Sequence, residues 1–248
     1  KQLKKIELKL ITWKNKALVL SKINYSETSL ILKVFTDKKG IQTGLVKGGK
    51  NIKKSNIFET GNLIIAEWKG KKEESLGLFN CELLEANSGI FLNDSRMFLS
   101  IISVLNLIEF SLLENEVEEE LFIKSYNLIK SILNNQKLWL ENYIKWELFL
   151  LKKIGFGLEL NKCIVSNSKK NLSYVSPKSG CAVSKSSASG WETKLLRLPA
   201  FLISNEKANY NDIKEGFNLT SYFLIQFSKS INKNLPFTRK YFIDSIEK

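Results

Sequence analysis

The chain contains no histidine. That absence removes the Ser-His-Asp and Cys-His nucleophile arrangements, histidine general bases and every histidine metal ligand. Cysteine is scarce, with only Cys81, Cys163 and Cys181. An odd, sparse set makes no disulfide framework and suits a reducing compartment, so a cytoplasmic location is the expectation. Long apolar runs are missing as well. The most apolar stretch, Met97 to Leu113, is interrupted by Ser103, Asn106 and Glu109 and is too short and polar for a membrane span. The basic first residues lack an apolar run followed by a small-residue cleavage site, so no signal peptide is expected. What remains is an ordinary globular composition, 44% hydrophobic and 25% charged over 248 residues, which excludes disordered and fibrous classes and allows one or two domains.

The charge is not ordinary. A net +13 favours polyanionic partners, nucleic acid or an anionic surface. It is also unevenly spread. Residues 1–80 hold 17 Lys/Arg against 7 Asp/Glu, residues 81–160 hold 7 against 12, and residues 161–248 hold 14 against 6. Only Arg96, Arg197 and Arg239 are arginines. Lysine meets phosphate as a point charge, whereas arginine is the better reader of bases, so this surface suggests binding without sequence preference.

The first basic block reads as a small antiparallel β domain. Residues 16–25, 29–36, 41–47, 62–68 and 76–85 are short β-rich runs separated by polar turns, among them Ser26-Glu27-Thr28 and Asp37-Lys38-Lys39-Gly40. Five strands in about 70 residues match an OB-fold barrel, with an SH3-like barrel as the competitor. The acid-rich middle reads as helices. Met97, Phe98, Ile101, Ile102, Leu105, Ile108 and Leu112 share one face, and Leu121 to Leu133 and Leu138 to Ile154 repeat the pattern. The run Glu114 to Glu120 falls at a turn and a helix start, where it complements the helix dipole. Residues 161–185 are short, polar and turn-rich, and helical character returns over about 186–197, 211–231 and 237–246. The fold class is therefore α+β and multidomain: a five-stranded barrel domain over 1–86, then a mainly helical domain over 87–248 with a small hairpin insertion at about 161–185.

Few motifs carry chemistry. Lys33, Lys38, Lys39, Lys47, Lys50, Lys53 and Lys54 form a basic hairpin-and-loop set. Such a set on a small barrel makes a groove that tracks phosphates, with Tyr25, Phe35 and Phe58 as candidate stacking platforms. Phe35 follows an apolar run and is expected in the core. Gly48-Gly49-Lys50 lacks the upstream glycine and the Lys-Ser/Thr ending of a phosphate loop. Cys163 and Ser166, with Cys181 and Ser184, have the spacing of a zinc ribbon in which serine fills the second place of each pair. Two thiolates without histidine do not close a tetrahedral site, so neither metal nor cofactor is expected, and the hairpin is expected to be held by side-chain packing. No catalytic constellation stands out. Glu73-Glu74 lies on a turn, and Ser166, Ser179 and Ser184 have no histidine base. A binding protein rather than an enzyme is the expectation.

Three segments together carry a family resemblance. ALVLSKINYSETSLILKVFTDKKGIQTGLVKGGKNIKKS (17–55), YVSPKSGCAVS (174–184) and LPFTRKYF (235–242) resemble corresponding parts of the RecO family of bacterial recombination mediators. The resemblance implies an OB-fold, a helical domain and a small zinc-ribbon-like insertion. It implies binding of single- and double-stranded DNA, annealing of complementary strands, and help in loading recombinase onto DNA coated by single-strand-binding protein, in the bacterial nucleoid. The implied protein partners are a RecR-family ring and the acidic C-terminal tail of the single-strand-binding protein. Zinc is not carried over, because Ser166 and Ser184 stand where many relatives have cysteine. The family's basic barrel surface maps onto Lys47, Lys50, Lys53 and Lys54, and strand position adds Lys33 and Lys38. A tail pocket needs apolar walls and a cationic rim. Residues 194–203 and 235–241 are the expected walls, with Lys194, Arg197, Arg239 and Lys240 as rim. The alternative from another class is an adaptor that docks acidic protein segments without nucleic acid.

Overall fold

A computed structural model of the chain describes residues 10–72 and 75–246, the side chain of Lys53 excepted. Five strands form a closed barrel: β1 (Ile11–Asn24), β2 (Leu30–Thr36), β3 (Gly40–Val46), β4 (Leu63–Gly70) and β5 (Gly77–Glu85). Their order around the barrel is β1-β2-β3-β5-β4, the arrangement of an OB-type barrel. The long β1 makes closure work. Its first half, from Ile11 to Leu18, pairs with β4, and its second half, to Asn24, pairs with β2. A bulge between Val19 and Ser21 falls at the change of partner, where an extra residue bends a strand. Strand β1 starts earlier than the expected residue 16, because the polar stretch ITWKNK alternates outward against β4 and buries little.

Inward-facing residues at period two fill the barrel: Ala17 and Val19, Leu30, Leu32 and Val34, Val46, Ile64 and Ala66, Trp68 and Phe79. Between β3 and β4, a short helix α1 (Ile52–Ser55) and a 3-10 turn (Asn56–Phe58) drop Phe58 into this core. The Trp68 indole lies flat against Trp13 at 5.9 Å, and β5 starts with Gly77 because a Cβ there would overlap that indole. The β2–β3 hairpin turns at Gly40 with φ +65°, a conformation glycine adopts without strain.

After the barrel come α2 (Ser88–Phe91) and α3 (Ser95–Ser111), the latter capped by the Asp94 side chain accepting from the Met97 N–H. Next is α4 (Glu119–Leu133), whose first turn carries Glu119 and Glu120 as the dipole argument expected. The chain forms two compact units, one ending at Tyr126 and one beginning at Asn127, so the first unit includes α3 and the start of α4 as well as the expected barrel residues. Phe122 of α4 meets Phe35 of β2 edge-on at 5.6 Å and seals it from outside the barrel.

The second unit is built on α5 (Trp139–Lys153), α6 (Tyr210–Ser230) and α7 (Phe237–Ile246). Tyr143 of α5, Phe217 of α6 and Phe242 of α7 pack ring against ring, with centroids 4.7 to 5.8 Å apart. A capping box between Asn209 and Asp212 starts α6. A three-stranded sheet accompanies the helices: β6 (Leu172–Val175), β7 (Ala182–Ser184) and β8 (Leu196–Arg197), ordered β7-β6-β8. The helical character expected over 186–197 is not an α-helix. Two 3-10 turns, Ser186–Ala188 and Glu192–Lys194, and strand β8 stand there. The serines and Gly190 in this stretch favour turns over a continued helix.

Candidate nucleic-acid interface

Two connections meet at one end of the barrel. The β1–β2 turn and the β3–α1 loop are tied together where the Lys50 N–H donates to the Thr28 carbonyl at 3.1 Å. The Lys50 ammonium also donates to the Ser26 carbonyl at 3.2 Å. Lys47, Lys50 and Lys54 are exposed here, and none of them is ion-paired among the described residues. The Lys53 side chain lies outside the described residues, as do Glu73 and Glu74. The β4–β5 turn lies elsewhere, since β4 ends with Gly70 beside Ile11 at the start of β1 and β5 runs on from Gly77 parallel to β3. The β4–β5 turn carries exposed Lys71 and Lys72, which were not among the expected DNA contacts. Their signal was the charged turn itself.

The other expected DNA contacts fall elsewhere. Lys38 is exposed on the β2–β3 hairpin, at the far end of both strands. Six residues at about 3.3 Å each place it roughly 20 Å along β3 from the loop lysines. Lys33 stands on the outer face of β2, but its ammonium lies 3.0 Å from Glu109 and 3.9 Å from Glu114. It is an internally neutralised cation, which corrects its expected role as a free phosphate contact. Of the stacking candidates, Phe35 and Phe58 are buried in packing, and only Tyr25, 61% exposed in the β1–β2 turn, presents a ring to solvent.

The expected tail rim also divides. Lys194 lies exposed over the Trp191 ring at 4.8 Å, and exposed Arg197 lies over the Tyr174 ring at 4.8 Å. Lys240 is exposed on α7. Arg239 is not a rim residue: it is 5% exposed. Its guanidinium donates from Nε to Glu147 Oε1 at 2.6 Å and from Nη2 to Oε2 at 2.8 Å, a two-point grip on a fully buried carboxylate. Thr220 donates to the same carboxylate, and Ser221 accepts from Nη1 at 2.8 Å. Burial disfavours the guanidinium charge, but the adjacent Glu147 outweighs it and raises the Arg239 pKa. Between α6 and α7 a small pocket is walled by Tyr210, Ile213, Phe217, Ile243 and Ile246, with Lys214 at its lining. Lys214 was missed; the signal was its place among apolar residues at helical spacing on α6.

The ribbon-like hairpin does not fit zinc. Cys163 is buried, and Ser166 donates its N–H to the Cys163 sulfur at 3.4 Å. Burial pushes this thiol up, but hydrogen bonds from Ser166 and Ser184 outweigh it and bring the pKa down to about 5. Two serines thus hold the sulfur through hydrogen bonds where a metal would be ligated. The Cys181 thiol instead faces the Ser179 carbonyl at 3.6 Å, and all three cysteines are free. Among the described residues no group of three or more Cys, Asp or Glu side chains is arranged to hold a metal ion. No helix among them is long and apolar enough to cross a membrane.

Comparison with known proteins now bears on this geometry. Two family models match, Recombination protein O N terminal over residues 10–86 and Recombination protein O C terminal over residues 92–227. The chain belongs to the RecO family. Its relatives include the DNA repair protein RecO of Orientia tsutsugamushi (strain Ikeda), 37% identical over 238 residues, covering 95% of this chain and 98% of that one. The DNA repair protein RecO of Bartonella bacilliformis is 36% identical over 86% of each chain. That of Cereibacter sphaeroides (strain ATCC 17029 / ATH 2.4.9) is 31% identical, over 87% of this chain and 89% of the relative. The N-terminal RecO model ends at residue 86, where β5 and the barrel have just closed.

Proposed function

We propose that this RecO-family chain serves DNA repair as a recombination mediator that binds single- and double-stranded DNA and anneals complementary strands. The observation that carries the reading is the gathering of exposed Lys47, Lys50 and Lys54 at one barrel end beside exposed Tyr25. Lysines on loops grip phosphates without reading bases, and a tyrosine ring gives one base a face to stack on. Annealing needs no bond made or broken. Two strands repel, and a cationic surface lowers that repulsion, so the activity is binding rather than catalysis.

In this reading the barrel domain, residues 1–86, supplies the DNA grip, with Lys53 in the same loop, and the domain over 87–248 supplies protein contacts. The acidic, apolar-ended tail of a single-strand-binding protein is the partner suited to apolar walls with cations beside them. Lys194, Arg197 and Lys240 remain candidates for its carboxylates, and Lys214 at the α6–α7 pocket joins them. Such docking, together with a RecR-family partner, would bring recombinase to coated DNA.

The test replaces Lys47, Lys50, Lys53 and Lys54 together with alanine. Fluorescence anisotropy with a labelled single strand at two salt concentrations should show weaker binding and a flatter salt dependence. Each lost phosphate contact removes about 0.7 from the slope of log K against log salt. Unchanged affinity and slope would sink the assignment.

A further inference from the structure

On the outer barrel face, Lys33 meets anions supplied by the chain itself. After α3, the chain crosses β3: the Asn115 N–H donates to the Ile41 carbonyl at 3.0 Å, and Gln42 Nε2 donates to Asn115 Oδ1 at 2.8 Å. The Gly40 backbone approaches Glu116 so closely that a Cβ would overlap its carbonyl. Two carboxylates are thereby held over a row of cross-strand neighbours, Ser21 on β1, Lys33 on β2 and Thr43 on β3. Glu109 Oε1 takes the Lys33 ammonium at 3.0 Å and the Ser21 hydroxyl at 3.4 Å, and Glu114 Oε1 accepts from the Thr43 hydroxyl at 2.9 Å. One ammonium and two hydroxyls facing an oxyanion is the donor set a phosphate would use.

The adjoining row, toward the loop lysines, is aliphatic: Ile23, Ile31, Leu45 and Leu78 are successive cross-strand partners, with Ile23 66% and Leu78 41% exposed. Lys47 follows four residues after Thr43, about 13 Å along the strand. A nucleic acid gripped at the loops would therefore meet Lys33 next if it continued across the face.

We infer that Glu109 and Glu114 act as a built-in substitute for phosphate that withholds Lys33 and ends the nucleic-acid track at the loop end of the barrel. The inference rests on the reading of this barrel as a DNA interface and names the residues that limit its extent. Half-exposed ion pairs contribute little to stability, so neutralising the carboxylates is expected to leave the fold intact.

The test is a mutant cycle on the full chain, read by anisotropy of a fluorescein-labelled single-stranded oligonucleotide across a sodium chloride series. Glu109→Gln with Glu114→Gln should tighten binding several-fold at low salt and steepen the log K against log salt slope by about 0.7, one added contact. Lys33→Gln in the natural sequence should change neither quantity. Lys33→Gln added to the double glutamine variant should abolish the slope gain. A gain that survives Lys33→Gln is a general charge effect and overturns the inference, as does a double variant that binds like the natural sequence. Should the double variant fail to fold, Glu109→Gln alone, which keeps the Thr43–Glu114 bond, carries the same expectation at smaller size. If the natural chain binds no DNA at low salt, the functional reading itself fails. If it binds through the loop lysines but the cycle is flat, only this inference fails.

Discussion

The two basic regions of the chain use their charge differently. In the barrel, Lys47, Lys50 and Lys54 stand exposed on loops tied together by backbone hydrogen bonds, and none of the three meets a carboxylate among the described residues. In the second unit, the best-placed cation of the expected rim, Arg239, is consumed by a buried carboxylate and joins α5, α6 and α7 at Glu147, Thr220 and Ser221. Lys194 and Arg197 lie against the aromatic rings of Trp191 and Tyr174. Equal formal charge therefore does not mean equal availability to a polyanion. A mobile lysine surrounded by solvent offers its full charge to phosphate, whereas a guanidinium fixed in a buried pair offers structure.

That contrast can be broken from either side. The largest effect is expected at Arg239→Ala, which leaves Glu147 buried and unpaired. Removing one partner of such a pair costs about 3–5 kcal/mol, readable as a lowered denaturation midpoint. A comparable loss, about 3–5 kcal/mol, is expected for Phe35→Ala, since its ring is fully buried against Phe122. Both should reduce stability without altering the salt slope of DNA binding in the folded fraction. Tyr25→Ala is expected to do the reverse, leaving stability in place and costing about 1–3 kcal/mol of affinity for single strands if its ring stacks on a base. A pH-dependent effect is expected at Cys163. Its folded pKa of about 5 lies below the ordinary thiol value of 9.0, so its thiolate stabilises the fold above that ordinary value. The contribution is lost as pH falls from about 9 through 5. The stability difference between the natural chain and Cys163→Ser should shrink over that window, measured by urea titration at several pH values.

The barrel was legible because its strands are short, alternate at period two and are separated by turn residues. Four of the five begin within a residue of where the pattern places them. The early start of β1 was not legible: Lys14 and Asn15 have no β signature and are held by pairing to β4. The lysine loop was legible as a charge cluster. The neutralisation of Lys33 was not, since Glu109 and Glu114 lie far along the chain and meet it only through the packing of α3 and the segment that follows. Arg239 misled for a related reason. Its neighbours Lys240 and Tyr241 are exposed, and nothing local distinguishes it from them, yet helix α7 turns it inward to Glu147. The serines at the second ribbon positions were legible, but the hydrogen bonds they direct at the Cys163 sulfur were not, since they depend on how the hairpin folds.

The central claim is that the barrel loops, and not the C-terminal cations, hold DNA. It is tested most directly by comparing salt dependence of single-strand binding in two variants of the full chain. One carries alanine at Lys47, Lys50, Lys53 and Lys54, the other at Lys194, Arg197 and Lys240. The account predicts a slope of log K against log salt flattened by up to about 3 in the first and unchanged in the second. A slope unchanged in the first and flattened in the second would contradict it.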